Sequence, residues 1–158
     1  MDDHDGGYSW MRRGANEWPD LEQFEPAVQA VAHFIEALPA GYGADPHRIY
    51  LMAFSQGAAV AYALALRRPG LVGGIAGLVG FVPAGYAAAT TSQSLQKLPV
   101  FMAVGKTDER IPYPIAAECG RVLSMAGADL TYREYDTGHK LNPAGVKELT
   151  AWWQRRGV

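Results

Sequence analysis

The apolar positions of the chain change period several times, and each change marks an element. Across 21–38, Phe24, Val28, Val31, Ile35 and Leu38 recur at steps of four and three. That stripe predicts an amphipathic helix, with Pro26 tolerated in its early turns and Pro39-Ala40-Gly41 closing it. Residues 48–54 form a short, mostly apolar run, which predicts a strand buried on both faces. An alanine-rich helix is expected over 56–68, stopped by Pro69-Gly70. Further strands are expected over 74–79, 99–104 and 130–135, with a helix over 112–126 closed by Gly127. Asn142 is placed to cap a last helix that starts on Pro143 and buries Val146, Leu149 and Trp152 or Trp153. Residues 1–20 show no period and read as an irregular arm, and 83–98 read as a loop. Strands alternating with helices imply right-handed crossovers, hence an α/β domain. Its four-stranded, mainly parallel sheet is flanked by helices on both faces.

Composition narrows the class. At 158 residues, with 49% hydrophobic and 19% charged positions, the chain has a globular make-up and the length of one domain. Lys plus Arg total 14 against 16 Asp plus Glu, a formal charge of −2. That balance gives no electrostatic reason to expect nucleic acid or an anionic membrane as partner. The single cysteine, Cys119, excludes an intrachain disulfide and a cysteine-rich zinc site, and fits a reducing compartment such as the cytoplasm. The start, Met1-Asp2-Asp3-His4-Asp5, lacks the basic and apolar regions of a secretory signal. Residues 71–89 are uncharged, but Gly73, Gly74, Gly77, Gly80, Pro83 and Gly85 interrupt them. A buried strand running into a loop accounts for them better than a membrane span.

Candidate chemistry collects at the carboxyl ends of the expected strands, where ligands bind in sheets of this kind. The first strand ends in Ser55, the third leads to Asp108 and the fourth to His139. Ser55 stands in Ala53-Phe54-Ser55-Gln56-Gly57 between a strand and a helix, with small residues two before and two after, as a tight nucleophile elbow requires. The plain alternative is a serine that caps the helix. A serine nucleophile needs a base and a group to orient that base. His139, in a loop after a strand, suits the first role, and a surface histidine is its alternative. Asp108 suits the second, with a turn or capping role as its alternative and Glu109 as neighbouring competitor. His4, His33 and His47 fall in the arm, on a helix and in a turn. Cys119 reads as a small buried residue within a helix. The order Ser, Asp, His is that of α/β-hydrolases. No phosphate loop, zinc spacing or dinucleotide fingerprint occurs, and no cofactor is expected.

At these residues the sequence resembles the phospholipase/carboxylesterase family of α/β-hydrolases, which includes acyl-protein thioesterases. The resemblance rests on Tyr8-Ser9-Trp10, Asp45-Pro46-His47-Arg48-Ile49, Phe54-Ser55-Gln56-Gly57, Gly80-Phe81-Val82-Pro83, Asp108 with Ile111-Pro112, and Gly138-His139. It implies metal-free hydrolysis of a small-molecule acyl ester or thioester through an acyl-enzyme on Ser55, with the Gln56 amide as oxyanion donor. It also implies that Trp10, Phe81, Val82 and Ile111 lie near the acyl pocket, against an alternative of ordinary core packing. Family members begin with further strands before the Trp10 region, one of which ends in a loop that supplies the second oxyanion amide. The expectation here is therefore a truncated α/β-hydrolase with an open sheet edge at 48–54. That edge is open to a homodimer, and the arm 1–20 is a candidate source of a substitute donor. A hydrolase-like interaction module without catalysis is the competing reading.

Overall fold

The computed structural model describes residues 8–11, 18–86 and 94–158, so parts of the expected arm and of the 83–98 loop lie outside the described residues. Helix α1 (Leu21–Tyr42) is followed by a single 3-10 turn (Pro46–Arg48) and strand β1 (Tyr50–Phe54). Then come α2 (Gln56–Arg67), β2 (Gly74–Leu78), β3 (Pro99–Gly105), α3 (Tyr113–Met125), β4 (Asp129–Tyr135) and α4 (Pro143–Gln154). The four strands pair in the order β1-β2-β3-β4, and every pairing is parallel.

Side-chain alternation along the two central strands builds two cores. Ile75, Val100, Met102 and Val104 face a layer made by α1, α2 and α3, where Phe24, Ile35, Tyr62, Leu64 and Leu123 are buried. Ala76, Leu78, Phe101 and Ala103 point the other way, onto Leu149 and Trp152 of α4. This is the period-two pattern of strands covered on both faces. Gly77 is required by the packing: a Cβ there would run into the Tyr62 ring, which lies against β2.

Three expectations are corrected. Helix α1 does not stop at Leu38 but runs to Tyr42 with Pro39 inside it, because the left-handed residue that ends it is Gly43 (φ 67), not Gly41. A proline in the last turn removes one N–H, and the helix still closes through the Gly43 N–H on the Pro39 carbonyl at 3.0 Å. Strand β1 is apolar but not buried on both faces, with Met52 66% and Phe54 48% exposed, while its place at the sheet edge is the one expected. Finally, Val146 is 52% exposed. The inward face of α4 is instead Gly145, Leu149 and Trp152, at steps of four and three, which turns Val146 outward. The capping prediction for this helix holds, with the Gly145 N–H donating to the Asn142 Oδ1 at 2.8 Å.

Candidate active site

The site is assembled where β1, β3 and β4 end. Ser55 sits between β1 and α2 at φ 53, ψ −120, a left-handed φ that is strained for a residue with a Cβ. Its backbone is pinned on both sides. The Ser55 N–H donates to the Leu78 carbonyl at 2.9 Å, and its own carbonyl accepts from Ala58 at 3.0 Å. A Cβ on Gly57 would stand 3.9 Å from the Ala53 Cβ, so two methyls would just meet across the elbow. Gly80 lets the end of β2 approach, since a Cβ there would stand 2.9 Å from the Ser55 carbonyl oxygen. The Ser55 side chain makes no capping bond to α2, which removes the capping alternative.

His139 links the other two groups. Its Nε2 lies 2.8 Å from Ser55 Oγ and its Nδ1 2.8 Å from Asp108 Oδ2. A carboxylate can only accept, so the Nδ1 proton points at Asp108 and the Nε2 lone pair receives the Ser55 hydroxyl. The Phe54 ring meets the imidazole edge-on at 5.2 Å between centroids. The loop that carries His139 is tied to the end of β3: Lys106 and Thr107 N–H groups donate to the Tyr135 and Thr137 carbonyls at 2.9 and 3.2 Å.

Asp108 has partners on both oxygens. Oδ1 accepts the Arg110 and Ile111 N–H groups at 2.8 and 3.0 Å and closes a turn, while Oδ2 faces His139. Its side chain is only 2% exposed. Burial by itself raises its pKa. The Ile111 N–H, the His139 ring and the Arg110 N–H together outweigh that and hold the carboxyl below its ordinary value. Asp108 therefore stays an anion beside the imidazole. Glu109, the competitor, is exposed, as are His33 and His47.

Gln56 opens α2, and among the described residues no protein group accepts its backbone N–H. Its side chain makes contacts that no local pattern signals: it binds Ser9 and Trp10, 47 and 46 residues earlier. Of the four residues expected at an acyl pocket, Phe81, Val82 and Ile111 are buried in the core. Phe81 packs against the rings of Trp18 and Phe24, and the Val82 N–H donates to the Cys119 Sγ at 3.0 Å. These contacts match the packing alternative. Trp10 is half exposed and lines a groove of ≈ 300 Å³ with Met52, Phe54 and Gly57. Cys119 is buried, which pushes its thiol pKa up to about 11, the opposite of a nucleophile's requirement. Among the described residues no cluster of three or more His, Cys, Asp and Glu is placed to hold a metal, and no helix is long and apolar enough to cross a membrane.

A parallel sheet with a serine on a strained strand–helix turn, and histidine and aspartate from later strand ends, defines the α/β-hydrolase fold. Solved structures agree. The carboxylesterase of Mesorhizobium loti superposes with a TM-score of 0.83 at 21% identity, covering 97% of this chain and 71% of its own. Arabidopsis thaliana SOBER1 gives a TM-score of 0.78 at 24% identity, covering 95% and 74%. Residues 8–154 match the Phospholipase/Carboxylesterase family, and the chain belongs to it. Among curated relatives, a probable carboxylesterase SOBER1-like of Arabidopsis thaliana is 28% identical over 82% of this chain and 50% of its own length. A probable inactive carboxylesterase of Oryza sativa subsp. japonica is 31% identical over 86% and 56%. Acyl-protein thioesterase 1 of Eremothecium gossypii is 31% identical over 91% and 61%. The chain thus spans a little over half the length of the curated relatives it matches.

Proposed function

We propose that this chain hydrolyses carboxylic esters of short- or medium-chain acyl groups through an acyl-enzyme on Ser55. The observation that carries the reading is the unbroken run Ser55 Oγ, His139, Asp108, with 2.8 Å on each side of the imidazole. Ser55 Oγ attacks the acyl carbonyl as His139 Nε2 takes its proton, and Asp108 stabilises the imidazolium without accepting that proton. The Gln56 N–H, free at the start of α2, stabilises the oxyanion. The imidazolium then protonates the leaving alkoxide. Water, activated by His139, next releases the acid and restores Ser55. Trp10 forms one wall beside the acyl chain. The open edge of β1, uncharged from Tyr50 to Phe54, pairs with that of a second copy, and the compartment is the cytoplasm.

Within the same chemistry, the identity to Acyl-protein thioesterase 1 favours a thioester substrate as the variant reading. A non-catalytic module is the reading from another class, favoured by the rice relative whose name includes the word inactive. The discriminating experiment exposes the chain and its Ser55→Ala variant to a fluorophosphonate probe. It follows intact mass alongside turnover of p-nitrophenyl acetate, p-nitrophenyl butyrate and an acyl thioester. A labelled, active chain that loses both properties in Ser55→Ala is the expected result. A folded chain with neither label nor turnover establishes the non-catalytic module instead.

A further inference from the structure

The Gln56 side chain has both ends of its carboxamide engaged. Oε1 accepts the Trp10 N–H at 2.8 Å, and Nε2 donates to Ser9 Oγ at 3.1 Å. Ser9 Oγ also accepts the Met11 N–H at 3.3 Å, so the segment 8–11 is folded as a small turn around that hydroxyl. Donor meets acceptor and acceptor meets donor, so the carboxamide engages the segment through both of its ends. The same residue carries the backbone N–H proposed above as oxyanion donor. That N–H belongs to the peptide joining Ser55 to Gln56, whose orientation depends on the strained Ser55 dihedrals. A strained peptide keeps one orientation only where its surroundings fix it from several sides. On the Ser55 side this is done by the Leu78 carbonyl, and the carbonyl of the same peptide accepts from the Ala58 and Ala59 N–H groups at 3.0 and 3.4 Å. On the Gln56 side the long-range anchor outside α2 itself is the pair of contacts to Ser9 and Trp10.

We infer that the Gln56 carboxamide is a positioning group: by clamping Ser9 and Trp10 onto the first turn of α2, it holds the Ser55–Gln56 peptide in the orientation that receives the oxyanion. The role rests on the hydrolase reading of Ser55. It assigns the Ser9 hydroxyl and the Trp10 backbone a part in catalysis separate from the wall that the Trp10 ring forms beside the acyl chain. It also separates the two halves of Gln56, with the backbone meeting the developing charge and the side chain fixing the backbone.

The test uses the whole chain with Gln56→Met, Ser9→Ala, Ser9→Thr and the double variant Gln56→Met/Ser9→Ala, all of which keep the backbone amide. The expected loss in kcat on p-nitrophenyl butyrate for Gln56→Met and Ser9→Ala is about tenfold to a hundredfold, below the cost of deleting an oxyanion donor outright. KM stays within about twofold, Ser9→Thr recovers most of the rate, and the double variant is no worse than Gln56→Met alone, as expected for one coupled unit. Hydrogen exchange at the Trp10 amide is expected to be faster in Gln56→Met than in the parent, which reports the clamp independently of turnover. If Gln56→Met and Ser9→Ala keep kcat within twofold while Ser55→Ala abolishes it, the positioning role is refuted and the hydrolase stands. If the parent chain itself neither turns over nor labels, the hydrolase reading falls and takes the positioning role with it.

Discussion

Gly105, the last residue of β3, is the position where a single methyl should do most harm to the site without touching the triad. A Cβ built there stands 2.5 Å from the carbonyl oxygens of both Thr137 and Gly138, the two residues before His139. Both obstacles are backbone, so no side chain can swing away. Restoring an ordinary contact of 3.4 Å moves the His139 loop, or the end of β3, by about 0.9 Å. The His139–Ser55 hydrogen bond is 2.8 Å long, and such a displacement takes it out of bonding range. A misplacement of about 1 Å in a reacting geometry costs on the order of a hundredfold in rate. Overpacking a buried site costs about 1–3 kcal/mol in stability. Gly105→Ala is therefore expected to lose roughly two orders of magnitude in kcat/KM on p-nitrophenyl butyrate and to shift the urea midpoint downward. Gly41→Ala is the control, since a Cβ there meets nothing within 4 Å. It should leave turnover unchanged and add at most about 1 kcal/mol of helix stability. A Gly105→Ala chain with turnover within threefold of the parent and an unshifted urea midpoint would refute the claim that the His139 loop is held by close backbone approach.

The remaining predictions concern stability and association. Tyr62 Oη is buried with no hydrogen-bond partner among the described residues, and burial raises its pKa well above the ordinary tyrosine value. Tyr62→Phe should therefore be neutral or stabilise by about 1 kcal/mol in urea denaturation, and a loss above 1 kcal/mol would contradict this. The pKa of Asp108 is lowered from 3.8 in the folded chain, so between the folded and unfolded values the unfolded chain binds the extra proton. The contribution is present above pH 3.8 and is lost as pH falls through the folded value. Asp108→Asn should accordingly be less stable than the parent near neutral pH, with the gap narrowing in acid; a gap that stays constant down to acid unfolding counts against it. Met52→Lys places a charge on the open strand edge and should abolish the proposed pairing of two copies. Light scattering across a concentration series checks it, and a parent chain that stays monomeric throughout disposes of the dimer.

Much of the architecture was legible because it depends on local pattern. The four-and-three stripe of α1, the apolar runs of β2 and β3, and the Asn142-Pro143 start of α4 each follow from periodicity and capping chemistry that a few neighbouring residues fix. The sites of Ser55, Asp108 and His139 at strand ends were legible for the same reason, since a parallel sheet brings those ends together whatever the loops do. Their order along the chain supplied the rest.

What the sequence could not determine depends on contacts between distant residues. The apolar pattern of β1 reads as a strand buried on both faces; the family resemblance implied an open edge there, and only the assembled sheet leaves Met52 and Phe54 exposed. Val146 and Leu149 have equal claims on the inner face of α4 until Trp152 is seated against Phe101. Phe81, Val82 and Ile111 lie near Asp108 or the end of β2 in sequence, but all three are buried, Phe81 against Trp18 and Phe24 and Val82 against Cys119. The clamp of Gln56 on Ser9 and Trp10 spans more than forty residues with no periodic signal. Short-range pattern sets which backbone conformation each segment prefers, and it sets little else. Which face is covered, which edge is open and which polar group finds a partner are decided by packing the whole chain at once, because burial is a property of the assembled surface and not of any residue in it.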